Sequence, residues 1–137
     1  MDRPPRILII DDDRDLITLL ATLLKRINVE SVAARDGIEG LGVLKSSQRP
    51  DMIILDLMLP DMDGLEVLQR IRAQPELSNV PVVILSATGD PDTIRFSLDR
   101  GADEYITKPY TPDELLTRVK MLLQSRHGGQ RVEHDTD

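Results

Sequence analysis

Short apolar runs alternate along the chain with stretches in which apolar residues recur at helical spacing. The runs predict five strands, over residues 7–10, 29–33, 52–55, 80–85 and 103–107. The helical spacing is clearest after the first run, at Leu16, Leu20, Leu23, Leu24 and Ile27. A regular alternation of strands and helices predicts an α/β domain with a parallel sheet covered by helices on both faces.

Residues that favour helix ends support the same division. Asp63, Asp90 and Thr111 are each placed to cap the start of a helix, and Gly101 is placed to end one. The second helix, over residues 38–44, is the weakest prediction because glycines interrupt it. Five strands and five helices predict a flavodoxin-like, doubly wound fold with the strand order 2-1-3-4-5.

The apolar pattern also bounds the domain. It extends over residues 1–125, and 137 residues suffice for one hydrophobic core but not two. Residues 126–137 carry glycines and charges without apolar periodicity, so we expect a flexible C-terminal tail or linker remnant there.

Charged or hydroxyl residues stand where predicted strands end, which is where an open α/β sheet builds its site. These residues are Asp11, Asp12, Asp56, Ser86 and Lys108. With strand one beside strand three, the carboxylates of Asp11, Asp12 and Asp56 are expected to meet in the crevice between them. The ammonium of Lys108 is suited to bind phosphate there.

Asp11 to Asp13 are three successive acidic residues, and helix capping explains only one of them. One carboxylate can cap the following helix, but three in a row repel one another unless a cation is bound. Carboxylate oxygens suit Mg²⁺, so we expect a magnesium site. Ser86 and Lys108 are each weak signals alone. Asp61 and Asp63 are interpreted as turn and cap residues without a chemical role.

Composition restricts the function. The formal net charge of −7 argues against direct binding of nucleic acid or an anionic membrane by this chain. The absence of cysteine excludes disulfide and thiolate chemistry. The sequence contains no apolar run long enough to span a bilayer and no signal peptide, so we expect a cytoplasmic protein.

The order of these motifs resembles that of response regulator receiver domains, the CheY-like family of two-component signalling, over roughly residues 6–125. The matching segments are IIDDD, DLMLPDMDG, ILSAT and ITKPY. The resemblance implies that Asp56 accepts a phosphoryl group from a sensor histidine kinase or histidine phosphotransfer protein. It also implies that Mg²⁺ is held by Asp11, Asp12, Asp56 and the backbone carbonyl of Met58.

Further roles follow from the same resemblance. Lys108 would pair with the phosphoryl oxygens, with a cis peptide bond to Pro109, while Ser86 and Tyr105 would act as switch residues. The face formed by helix four, strand five and helix five would then report the phosphorylation state, and a homodimer through that face is possible. Serine replaces the more common threonine at position 86, which keeps the hydroxyl. The chain would be a phosphoacceptor that also loses its phosphoryl group by hydrolysis, and not an enzyme in the usual sense.

Two other classes of function are less well supported. A phosphohydrolase with an aspartyl-phosphate intermediate would be expected to carry a second acid two residues after Asp56, where this chain has Met58. A flavin-binding domain would be expected to have a Ser/Thr/Gly-rich loop in place of the acidic residues. A phosphorylation-independent, receiver-like interaction module remains the alternative.

Overall fold

The computed structural model of the protein describes residues 3–46 and 49–128. Five strands form one parallel sheet: β1 (Arg6–Ile10), β2 (Glu30–Ala34), β3 (Met52–Leu55), β4 (Val82–Ser86) and β5 (Glu104–Thr107). Five α-helices connect and follow them: α1 (Arg14–Arg26), α2 (Gly37–Leu44), α3 (Gly64–Arg72), α4 (Pro91–Asp99) and α5 (Pro112–Gly128). The strand order is β2-β1-β3-β4-β5, which confirms the predicted fold and topology.

Alternate residues of the strands face opposite sides of the sheet, and each side has its own core. Leu8 and Ile10 pack in a cluster that includes α2 and α3 residues, whereas Ile7 and Ile9 pack with residues of α1 and α5. All four residues of β3 are buried, as expected for a strand in the middle of a parallel sheet. The centre of the sheet is therefore buried on both faces, and its carboxyl edge carries the loops described below.

Several boundaries differ from the predictions. A short 3₁₀ helix, Pro75–Leu77, precedes β4, and the Val80 amide donates to the Leu77 carbonyl at 3.1 Å. Val80 therefore belongs to this turn, and β4 begins at Val82. Helix α5 continues through Gly128, so the boundary expected at residue 126 falls inside the helix. The rest of the expected tail, 129–137, lies outside the described residues.

The helix ends largely follow the predicted capping residues. Asp13 caps α1 by accepting hydrogen bonds from the amides of Asp15 and Leu16, at 3.0 and 3.1 Å. Asp63 and Asp90 cap α3 and α4. The second helix forms, but Ile38, the first residue of its predicted range, is 67% exposed. Within the part of the chain that the structure describes, no helix has the length and apolar character needed to cross a bilayer.

Candidate functional site

Asp11 and Asp56 lie side by side at the carboxyl edge of the sheet. They directly follow Ile10 and Leu55, which are paired partners in the β1–β3 ladder. The ladder continues into the site, because the Asp56 amide donates to the Ile10 carbonyl at 3.0 Å. Asp11 and Asp56 are only 2% and 6% exposed. Two buried carboxylates are thus held next to each other by the backbone of adjacent strands.

Asp12 completes a group of three acidic residues that fits a divalent cation. One carboxylate oxygen from each of Asp11, Asp12 and Asp56 lies within 4.8 Å of the others. Asp12 is exposed, and the next residue, Asp13, is the cap of α1. The run of three acids therefore has one capping residue and two that face the crevice. All donors are hard carboxylate oxygens, the type that Mg²⁺ prefers.

Lys108 connects the two buried carboxylates. Its Nζ atom lies 3.1 Å from Asp11 Oδ2 and 3.2 Å from Asp56 Oδ2. The peptide bond between Lys108 and Pro109 is cis, which confirms the expectation from the resemblance. The Lys108 amide also donates to the Ser86 carbonyl at 2.8 Å, so the lysine is anchored to the end of β4. The ammonium partly neutralises the acidic group from the β5 side of the crevice.

The pKa directions of these groups follow from burial and charge. Burial raises the pKa of Asp11, although the hydrogen bonds from the Asp13 amide and from Lys108 oppose it. Burial alone would lower the pKa of Lys108, but the hydrogen bond and the negative charge of Asp11, together with Asp56, raise it. The lysine is therefore cationic at neutral pH, and the ionised form of Asp11 carries a desolvation penalty.

Ser86 and Tyr105 are linked through the loop between β4 and α4. Ser86, the last residue of β4, is fully buried, and its Oγ lies 3.5 Å from the Thr88 amide. The Tyr105 hydroxyl donates to the Thr88 carbonyl at 2.6 Å. Burial raises the pKa of Tyr105, so its hydroxyl remains a donor at neutral pH. One loop residue, Thr88, thus contacts both of the predicted switch residues.

Met58 lies on the other side of the crevice. Its amide donates to Asp56 Oδ1 at 3.1 Å, which holds its main chain beside the carboxylate. Met58 is 63% exposed, and the Thr88 hydroxyl lies 3.7 Å from its sulfur. The loops after β3 and β4 therefore touch across the mouth of the crevice.

Asp61, in the loop after β3, and Gly64, the first residue of α3, have contacts that the sequence did not predict. The Asp61 carboxylate accepts hydrogen bonds from the amides of Gly37 and Ile38, both at 2.8 Å. These partners lie 24 and 23 residues earlier in the chain, so no local sequence pattern predicts the contact. Gly64 packs so closely on the main chain of Asp56 and Leu57 that a Cβ atom would have no room.

Fold and site together define the class, an α/β domain that carries an acidic, lysine-containing site at the switch point of a parallel sheet. The family model for the response regulator receiver domain matches residues 7–120, and the chain belongs to this family. It is thus a receiver domain of the kind found in two-component response regulators, and its acidic group fits a phosphoacceptor switch.

Individual relatives agree in sequence and in structure. The chain is 42% identical over 120 residues to the DNA-binding dual master transcriptional regulator RpaA of Synechocystis, covering 88% of this chain and 49% of RpaA. It therefore spans about half the length of that relative. A CheY-like receiver domain protein from Methanospirillum hungatei superposes with a TM-score of 0.85 at 28% identity, covering 92% of this chain and 98% of the other. The Mn²⁺-bound form of response regulator Rcp1 superposes with a TM-score of 0.74 at 32% identity, covering 89% and 91%.

Proposed function

We propose that Asp56 is the phosphoacceptor of a signalling switch. The observation that carries the proposal is the convergence of three carboxylates and one ammonium at a single point of the sheet edge. Among them, the resemblance to receiver domains assigns the acceptor role to Asp56, the aspartate that directly follows β3 in the segment DLMLPDMDG. Lys108 and Met58 each bond one of its two oxygens, and Asp11 lies beside it. The donor is a phosphohistidine on a sensor histidine kinase or on a histidine phosphotransfer protein.

In the transfer step, a carboxylate oxygen of Asp56 attacks the phosphorus atom of the donor. A new P–O bond forms as the P–N bond to the donor imidazole breaks, and the departing nitrogen takes a proton from solvent. Lys108 stays near the reacting oxygens and pairs with the negative charge of the phosphoryl group. Asp11, Asp12, Asp56 and the Met58 backbone carbonyl would hold Mg²⁺, as the receiver resemblance implies. A cation held there would offset the negative charge of the carboxylates and of the phosphoryl group.

Signal output begins at Ser86 and Thr88. The phosphoryl group adds acceptor oxygens beside a buried serine hydroxyl, and this hydroxyl turns to donate to one of them. The loop carrying Thr88 moves with it, and Tyr105 follows because its hydroxyl is bonded to the Thr88 carbonyl. These shifts alter the face formed by α4, β5 and α5, where a downstream partner or a second copy of the chain binds.

The chain is a participant in phosphotransfer and not an enzyme with an external substrate. It loses the phosphoryl group by hydrolysis, which resets the switch. Direct nucleic-acid binding is not part of the proposal, since the chain carries a formal net charge of −7. The alternative is a receiver-like module that binds its partner without phosphorylation.

The proposal is tested with a small phosphodonor such as acetyl phosphate. The intact mass of the protein is measured with and without Mg²⁺ for the unmodified chain and for Asp56→Asn. Asp92→Asn is the matched control, because Asp92 is an exposed aspartate on α4. We expect a Mg²⁺-dependent gain of one phosphoryl group in the unmodified chain and in Asp92→Asn, and none in Asp56→Asn. If the unmodified chain shows neither an adduct nor release of phosphate, the phosphorylation-independent module is the correct account.

A further inference from the structure

Asp61 joins the loop after β3 to the start of α2. Both of its carboxylate oxygens are used, one by the Gly37 amide and the other by the Ile38 amide, each at 2.8 Å. Desolvation tends to raise the pKa of Asp61, but the hydrogen bonds from Gly37 and Ile38 lower it below its ordinary value. The carboxylate is therefore charged at neutral pH and complements the positive end of the α2 dipole.

The helix that receives this link is itself fixed to the strand that leads into the acidic site. Gly40 of α2 lies against Ile10, where a Cβ atom would come within 2.6 Å of Ile10 Cδ1. Ile10 directly precedes Asp11. The Asp11 amide is in turn bonded to the carbonyl of Ala34, at the end of β2. The start of α2 is thus packed against the part of the sheet that carries Asp11 and Asp12.

The loop after β3, which Asp61 connects to α2, carries Met58 beside Asp56. Asp61 is separated from Met58 only by Leu59 and Pro60, and the proline ring restricts the backbone of both residues. The Met62 side chain adds a second contact, because it fills the space next to Gly37 that a Cβ atom would need. A displacement of Asp61 is therefore transmitted along a stiff segment to Met58 and, through the Met58 amide, to Asp56.

We propose that Asp61 is a positioning residue for phosphoryl transfer, because its bridge to Gly37 and Ile38 sets the distance between the two halves of the acidic site. One half, Asp11 and Asp12, comes from the end of β1. The other half, Asp56 and the Met58 main chain, comes from the end of β3. The inference rests on the proposed function for its role in phosphorylation, while its effect on cation binding is measured separately.

The chain offers a matched control for this residue. Asp36 caps the same helix by accepting from the Glu39 amide at 2.8 Å, but it lies before α2 and has no bond to the loop after β3 among the described contacts. Asp36→Ala and Asp61→Ala each remove a carboxylate from the start of α2. Only Asp61→Ala releases the loop that carries Met58. A merely structural effect on α2 is therefore common to both variants, and a positioning effect is confined to one.

The test measures the affinity of the full chain for Mg²⁺ by titration calorimetry and the exchange of the Gly37 and Ile38 amides. For Asp61→Ala we expect faster exchange of both amides and a roughly tenfold loss of Mg²⁺ affinity, the size typical of residues that orient metal ligands. Asp61→Asn keeps one acceptor oxygen, so we expect its Mg²⁺ affinity to lie between those of Asp61→Ala and the unmodified chain. At low Mg²⁺, Asp61→Ala forms the adduct from acetyl phosphate more slowly than the unmodified chain, and at saturating Mg²⁺ the two rates become equal. Asp36→Ala retains the Mg²⁺ affinity of the unmodified chain.

Two outcomes overturn the inference. One is an unchanged Mg²⁺ affinity in Asp61→Ala when the exchange data show that its bonds to α2 are lost. The other is an equal loss of affinity in Asp61→Ala and Asp36→Ala. If the unmodified chain forms no adduct while Asp61→Ala still weakens Mg²⁺ binding, the proposed function fails and the positioning of the acidic site stands.

Discussion

Gly64 packs directly against the main chain of Asp56, and a Cβ atom at position 64 would lie 2.4 Å from the Asp56 carbonyl oxygen. It would also lie 2.5 Å from the Leu57 Cα atom. Backbone atoms cannot move aside as a flexible side chain can, so Gly64→Ala must displace the loop that follows β3. We expect a loss of about 2 kcal/mol in unfolding free energy, typical of overpacking, measured by urea denaturation.

Gly42→Ala is the matched control for this substitution. Gly42 also lies in a helix, but a Cβ atom there meets nothing within 4 Å. Alanine favours helices over glycine, so we expect a gain of up to about 1 kcal/mol. Equal destabilisation by both alanines would show that the contact with Asp56 is not the cause.

Replacing Asp11 is predicted to stabilise the protein in a pH-dependent way. Burial raises the pKa of Asp11 in the folded state above its ordinary value of 3.8. The folded state therefore holds this proton more tightly than the unfolded state, and stability falls as pH rises through 3.8 to the folded pKa. Above that range the full desolvation cost of ionised Asp11 lowers the stability of the folded state, and below pH 3.8 this cost is absent.

Asp11→Asn removes this penalty. In the absence of divalent cations we expect it to raise the unfolding free energy at pH 7, with a gain that shrinks as pH falls towards 4. Added Mg²⁺ is expected to stabilise the unmodified chain more than the variant, since the variant lacks one ligand. Denaturation curves at several pH values check this, and a gain that is the same at pH 4 and pH 7 would contradict it.

The hydroxyl of Tyr105 is predicted to hold the loop between β4 and α4. Tyr105→Phe keeps the ring but removes the 2.6 Å hydrogen bond to the Thr88 carbonyl. We expect a loss of about 1 kcal/mol in stability. Faster amide exchange is expected at residues 87–90. If only global stability changed and exchange in this loop did not, Tyr105 would not be the link between β5 and the loop.

Arg72, which lies outside the site, is predicted to contribute strongly to the stability of the fold through its hydrogen bonds. Its guanidinium donates three hydrogen bonds, at 3.0, 3.0 and 3.1 Å, to Gly101, Leu77 and Asp103. It thereby ties the end of α3 to the 3₁₀ helix and to the turn before β5. Lysine cannot reproduce a planar group with several fixed donors. We expect Arg72→Lys to lose about 2 kcal/mol in unfolding free energy.

A neighbouring arginine provides the comparison for Arg72. Arg70 pairs with Glu66 at 2.8 Å, but both side chains are about half exposed. Exposed pairs at this spacing contribute little, so Arg70→Lys is expected to change stability by less than about 0.5 kcal/mol. Similar losses for the two substitutions would rule out the special role of Arg72.

The residues that could be predicted from the sequence are those whose role follows from a position in a local pattern. Asp11 and Asp56 end buried strands, and the strand order brings those ends together, so their proximity is a consequence of topology. Gly101 lies just after the C-cap of α4 at a φ of 112°, where glycine is favoured. Such features need only a few neighbouring residues.

The residues that were missed or misread depend on partners far away in the chain. Asp61 resembles any acidic residue of a turn, and only the folded structure places it on the α2 amides. Long-range contacts of this kind leave no periodic trace in a single sequence.

The central claim is that Asp56 itself becomes phosphorylated. An acyl phosphate is reduced by borohydride to an alcohol, which converts the phosphorylated aspartate to homoserine, whereas a free carboxylate is not reduced. We would treat the chain with acetyl phosphate and Mg²⁺, trap it with borohydride, and map the modified peptide by mass spectrometry. The account predicts homoserine at position 56 and nowhere else. Homoserine at Asp11 or Asp12 with none at position 56 would contradict it.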